Sequence, residues 1–356
     1  MWLAVDRLSS QWVSSWPGLD TPLQPALGDA EFGEVVTTYL GMESPALRGL
    51  AGRSIPCGHR RHTVCDAHGF QLGLATLPGA VHTIVHNGCS FELWRMMREA
   101  GVYCEVEPRH LFNTLLPAAY LLQPGPRPNI VPDARMDVAL PPAATTRQQS
   151  QAFRRRTGAV AAQQRPMLFD AKSIFAGGGR YRGSVREDQS GAVELRARQV
   201  PSEYRRNARE KDQQYGPAGS TLIQDRVASF GACRAVVFGN YGEASRDVHT
   251  LIHVAAQRLA TKHWRLLGAR SQGEVHGFYV AQLRRRMGVT AVREFARHRL
   301  RRAAYVGVPR AVVEQMMQQE AMRVRLHGQP AAEPPYADFF AWAGQQPAAA
   351  RGGGGG

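Results

Sequence analysis

Lysine is nearly absent from this chain. Of 44 basic residues among 356, three are lysines (Lys172, Lys211 and Lys262) and the rest are arginines. With abundant alanine and glycine, this matches a coding sequence rich in G and C, which writes arginine wherever either base serves. A lysine kept against that bias marks a position that needs a compact ammonium with an adjustable pKa rather than a guanidinium. Long apolar runs are missing too. No uncharged stretch approaches about 18 residues, so no transmembrane helix is expected. Five cysteines, at 57, 65, 89, 104 and 233, are too few for a disulfide framework in a chain this long. The opening MWLAVDRLSSQW carries an acid at position 6 and no extended apolar core, unlike a secretory signal. These absences predict an intracellular protein, nuclear or cytoplasmic, with no membrane partner.

What is present is positive charge. The formal net charge is +15, which favours a polyanionic partner, and nucleic acid is the first expectation. The first fifty residues are slightly acidic and the excess gathers after Arg147. RRNAREK (205–211), LRRRMG (283–288) and REFARHRLRR (293–302) would lay Arg205, Arg206, Arg209, Arg285, Arg293, Arg297 and Arg301 along helix faces. Arginines so placed suit phosphate backbones and are indifferent to base identity, pointing to binding, of DNA first, without sequence-specific contacts. The bland alternative is a set of solvated helix faces.

Residues 1–52 form an N-terminal segment of weak periodicity. Residues 53–89 are dense in His and Cys and are expected to pack on the core. SFELWRMMREAG then predicts a helix with Ser90 as N-cap and Gly101 just past its end. VYCEVE (102–107) alternates strictly, and RMDVAL (135–140), PMLFDAKSI (166–174) and AVVFG (235–239) are further strands. The Ala/Gln/Arg-rich 141–165 stretch predicts a flexible insert. RDVHTLIHVAAQRLATKHW is an amphipathic helix, residues 266–327 a basic helical extension, and residues 328–356 a disordered tail. Strands bracketed by helices predict an α/β fold: a three-layer αβα core over 90–265 with a mixed central sheet of about four strands, plus additional C-terminal helices.

Two of the strands carry acids. In FDAKSI, Asp170 and Lys172 stand two apart and project from one sheet face. Alone, either charge would be costly to bury; around a divalent cation both become sensible, because Mg²⁺ prefers hard carboxylate and carbonyl oxygens. VPD…MDVAL followed by FDAKS resembles the PD-(D/E)XK, restriction-endonuclease-like nuclease superfamily, over residues 80–265. The helix–strand–strand–strand–helix–strand order resembles that family's core. The VFGxxGEAS and CDxxG strings are also similar to nuclease-like proteins of mobile elements.

The resemblance implies a nuclease using Mg²⁺ or Mn²⁺ to hydrolyse phosphodiester bonds. It places the second acid on Asp170, the lysine on Lys172, and the first acid on Asp133 or Asp137. Pro132-Asp133 is the literal dipeptide, but Asp137 sits inside the strand and is the first choice to face Asp170 across a ladder. Glu105 or Glu107 would supply a further acid. The alternative is a non-catalytic, basic nucleic-acid-binding protein, or a decayed element fragment. A possible Zn²⁺ site at Cys57, His59, His62 and Cys65 would stabilise the binding protein. His86, before the first core helix, is read either as a phosphate contact or proton carrier, or as a histidine satisfied by local hydrogen bonds.

Overall fold

The computed structural model describes residues 27–56, 63–75, 77, 81–122, 130–140, 165–175 and 191–327. The expected flexible insert, apart from Arg165, which opens a strand, and the C-terminal tail fall outside these residues, as do Cys57, His59 and His62.

Helix α1 (Asp29–Leu40) and a 3₁₀ turn (Pro45–Leu47) lead into a two-stranded ribbon of β1 (Ser54–Ile55) and β2 (Thr63–Val64), followed by the short α2 (Phe70–Leu74). Helix α3 (Val81–Glu99) precedes β3 (Cys104–Val106), the one-turn α4 (Ala118–Leu121), β4 (Ala134–Val138) and β5 (Arg165–Ile174). Then come α5 (Gly191–Tyr215), α6 (Leu222–Ser229), β6 (Cys233–Gly239), α7 (Arg246–His263), α8 (Gln272–Ala303) and α9 (Arg310–His327). The main sheet has the order β3-β4-β5-β6; its first two pairs are antiparallel and β5-β6 is parallel. The chain is therefore a mixed α/β protein with a four-stranded mixed sheet and added C-terminal helices.

Side-chain alternation along the strands divides the core. Ala134, Met136 and Val138 of β4 join Met167, Phe169 and Ala171 of β5 in a cluster completed by α3, α7 and α8. The intervening Leu168 packs instead with Tyr204 and Ala208 of α5 and Ile223 and Val227 of α6. Ile174, of the same parity, meets Val193 and Val200 of α5. A period of two thus sends odd and even positions of β5 to different helices, and Asp170 and Lys172 share the parity that faces α5.

Helix α3 begins earlier than the sequence suggests. Ser90 was expected as N-cap, yet it lies mid-helix with its hydroxyl donating to Asn87 O at 3.3 Å. The apolar stripe continues upstream through Val85, Cys89 and Leu93, all buried, so burial overrides the cap preference of serine. The C-terminal end is as expected. Gly101 has φ +73°, and its N–H reaches Arg98 O while Val102 N–H reaches Met97 O, a pairing that satisfies two terminal carbonyls.

Residues 27–56 and 63–75 pack on α8 and the segment after it through buried charge as well as apolar contact. Glu34 accepts from the Ser44 hydroxyl at 2.7 Å, from Ala46 N–H at 2.8 Å and from Arg299 at 3.3 Å. Leu47, Ile55, Cys65 and Leu72 form a satellite core with Ala303, Tyr305 and Val313. Elsewhere, Asp212 of α5 caps α6 from outside, accepting from Ile223 N–H at 2.8 Å and Gln224 N–H at 3.0 Å. Asp212 is buried, so Asp212→Ala orphans two amides and is expected to cost about 1–2 kcal/mol in urea unfolding. Asp225→Ala, at an exposed position of α6, should change stability by less than about 0.5 kcal/mol in the same measurement.

Candidate functional site

The β4-β5 register decides which acids meet. Ala134 is opposite Phe169 and Asp137 is opposite Pro166. Asp137 is thus four positions along the ladder from Asp170, about 13 Å at the strand rise. Two carboxylates that far apart cannot share one ion at Mg²⁺–oxygen distances of about 2.1 Å. The preference for Asp137 as first acid is corrected accordingly: its carboxylate lies 3.8 Å from Arg135 Nη2, and its N–H donates to Tyr103 O at 3.2 Å.

Asp133 holds the place beside Asp170. Strand β4 begins at Ala134, and the carboxylate just before it takes over the ladder: Asp133 Oδ2 accepts from Ala171 N–H at 2.6 Å. Ala171 is the residue between Asp170 and Lys172, so Asp133 is fastened to the peptide that joins Asp170 to Ala171. The same oxygen accepts from His86 Nε2 at 3.0 Å, and His86 Nδ1 lies 2.9 Å from Asn87 Oδ1. The turn carrying Asp133 is fixed from the other side, where the Tyr204 hydroxyl of α5 donates to Ile130 O and Glu107 N–H donates to Asp133 O at 3.0 Å. Burial, first, and then nearby Cys233 and Asp170 hold the Tyr204 phenol well above its ordinary pKa, so it remains a donor.

Asp170 and Lys172 pair directly, with Nζ–Oδ2 at 2.6 Å and side chains 15% and 34% exposed. Their opening to solvent distinguishes them from the core around them. Across the gap, Arg196 and Glu203 of α5 form a two-pronged pair at 2.5 and 2.8 Å. That bond to Arg196 holds the Glu203 carboxyl below its usual range, and Lys172 adds to the effect. The other expected acids are engaged elsewhere. Glu105 meets His110 Nδ1 at 2.8 Å and Arg135 at 3.6 Å, while Glu107 meets Arg109 at 3.2 Å.

No cluster of three or more His, Cys, Asp or Glu side chains suited to a metal occurs among the described residues. The donor chemistry at Asp133 and Asp170 nonetheless fits a hard cation of the Mg²⁺ type, which takes one or two carboxylates and keeps several waters. Of the expected zinc set, only Cys65 is described. It is buried, and burial, reinforced by Asp66, pushes its thiol up to about 11.

The arginines divide sharply. Arg205, Arg206 and Arg209 are exposed on α5, the helix that overlies Asp170 and Lys172. Those on α8 are largely turned inward. Arg297 binds Glu31 at 2.5 Å and Glu294 at 3.3 Å, Arg293 binds Glu294 at 3.1 Å, and Arg285 and Arg301 are half-buried. The expected arginine row on α8 is therefore mostly a set of packing contacts. His86 is the contributor that sequence alone did not commit to; its signal was a histidine on the turn of α3 just before the buried Cys89.

The chain matches no family model, and no curated protein and no solved structure is significantly similar to it. No helix among the described residues is long and apolar enough to cross a membrane.

Burial also raises the Cys104 thiol to about 11. With both folded thiols above their ordinary 9.0, their contribution to stability is complete below pH 9 and is lost as pH rises through about 11. Iodoacetamide at pH 8 should leave Cys65 and Cys104 unmodified in the native protein and alkylate both in urea, read by peptide mass spectrometry.

Proposed function

We propose that the chain is a divalent-metal-dependent nuclease of the PD-(D/E)XK kind, hydrolysing phosphodiester bonds of nucleic acid, DNA in the first instance. The observation that carries this is the bond from Ala171 N–H to Asp133, which fastens the Pro-Asp acid onto the Asp-Ala-Lys segment. The sheet order, with three antiparallel strands and a fourth parallel to the third after two intervening helices, supports the same reading. On it the helices on the two sides of the sheet make a three-layer αβα core.

The chemistry follows from the residues. Asp133 and Asp170 would hold the cation, which when bound neutralises phosphate charge and lowers the pKa of a water. Lys172 supplies a positive charge beside Asp170, where it can orient the attacking water or stabilise charge building on the phosphoryl oxygens. The exposed arginines of α5 supply a sequence-indifferent grip on the backbone that brings phosphates to this point.

Purified protein is incubated with supercoiled plasmid and with single-stranded DNA, plus Mg²⁺ or Mn²⁺. Asp133→Ala, Asp170→Ala and Lys172→Ala should each lower cleavage by about 100-fold or more, whereas Asp137→Ala should retain it. Equal cleavage by all four would trace the activity to a contaminant and remove the proposal. For binding, joint replacement of Arg205, Arg206 and Arg209 by alanine should weaken DNA affinity and flatten its salt dependence by about three slope units. Arg297→Ala should instead lower the unfolding temperature with affinity unchanged. Binding that survives in all variants without any cleavage in the wild type would favour the non-catalytic alternative.

A further inference from the structure

We propose that His86 is a positioning residue for Asp133, orienting its carboxylate before any cation arrives. This rests on the nuclease reading and deepens it. The imidazole and the Ala171 amide converge on a single oxygen, Oδ2, at 3.0 and 2.6 Å. One hydrogen bond leaves a carboxylate free to swing about it. Two donors from different elements, one on α3 and one on β5, fix the plane of the group and therefore the direction in which Oδ1 lies. A carboxylate held in this way binds a cation without first giving up rotational freedom, and second partners of this sort typically alter metal affinity by about 10- to 100-fold.

The histidine can act as a fixed donor because its own turn is held. Val85 and Cys89 flank it and are fully buried in the main core. Two residues on, Gly88 lets α8 approach closely: a Cβ there would lie 2.5 Å from Glu294 Cγ and 2.7 Å from Cδ. Glu294 is in turn gripped by Arg293 and Arg297 at 3.1 and 3.3 Å. The far side of the ring faces Asn87 Oδ1 at 2.9 Å, which limits ring rotation. The chain of contacts from α8 through α3 to Asp133 thus makes the carboxylate's direction a property of the whole fold.

The test is Mn²⁺ binding to the free, full-length protein, followed by electron paramagnetic resonance, beside cleavage at graded Mn²⁺. His86→Gln keeps an amide donor near the Nε2 position; His86→Phe keeps the ring volume and has no donor; His86→Ala removes both. The expected result is Mn²⁺ affinity within about threefold of wild type for the Gln variant and about tenfold or more weaker for Phe and Ala. Cleavage by the Phe variant should recover at saturating Mn²⁺. Thermal melts identify any variant that has failed to fold, and the Gln–Phe comparison carries the test should the Ala variant do so. Equal affinities for Gln and Phe would overturn the positioning role, whether both are strong or both are weak; equally weak binding would make His86 a direct ligand instead. Wild-type protein that binds no Mn²⁺, or binds it as well after Asp133→Ala, would sink the nuclease reading itself, an outcome distinct from the first.

Discussion

The pairing of β4 with β5 is the constraint on which the rest depends. Because Ala134 is opposite Phe169, both fall on the face packed by α3, α7 and α8, and a slip of one residue would turn Met136, Val138 and Phe169 out of that core. The same register brings the end of β4 level with the middle of β5, where Asp133 replaces the ladder acceptor for Ala171. Polar satisfaction and candidate chemistry are met by one carboxylate. An amide left without this partner in the sheet would be destabilising on its own account, so the acid is held in place by the same forces that hold the strand.

Charge in this protein is found both between packed helices and on exposed faces. The guanidinium of Arg286 sits between Glu92, which it contacts closely, and Glu99 at 2.5 and 2.9 Å, joining α8 to α3. Arg234 grips Asp247 at 2.9 and 2.5 Å and ties β6 to the first turn of α7, and Arg302 reaches the carbonyls of Leu72 and Gly73. These guanidinium groups are buried, and breaking one partner of a buried charge pair such as Arg234–Asp247 costs about 3–5 kcal/mol. Net charge alone therefore overstates the surface offered to a polyanion; of the arginine rows picked out in the sequence, the one exposed among the described residues lies on α5.

Much of this was legible in the sequence. FDAKSI stood out because lysine is rare here and rarer in strands, and the helix–strand–strand–strand–helix–strand order around it pointed to the sheet and its flanking helices. The choice between Asp133 and Asp137 was not legible. Both acids are within one short segment, and only the register, set by which side chains of β4 and β5 share a core, separates them. The α8 arginines misled for a related reason. Spacing of i, i+4, i+8 places them on one face of a helix, but whether that face meets water or the acids of α1 depends on how α1 packs against α8, which no local pattern records. Ser90 failed as a cap because a stripe of buried apolar residues ran straight through it.

The two-pronged guanidinium contacts have a consequence for how this sequence can change. At Arg196, Arg234 and Arg286 a planar fork meets both oxygens of a carboxylate, a geometry that an ammonium cannot reproduce. At Arg205, Arg206 and Arg209, which stand in solvent, either cation serves a phosphate. Were base composition to drift in a descendant gene, lysines would accumulate on the outer side of α5 while the interior forks stayed as they are, so the pattern of replacement would itself map the boundary between scaffold and surface.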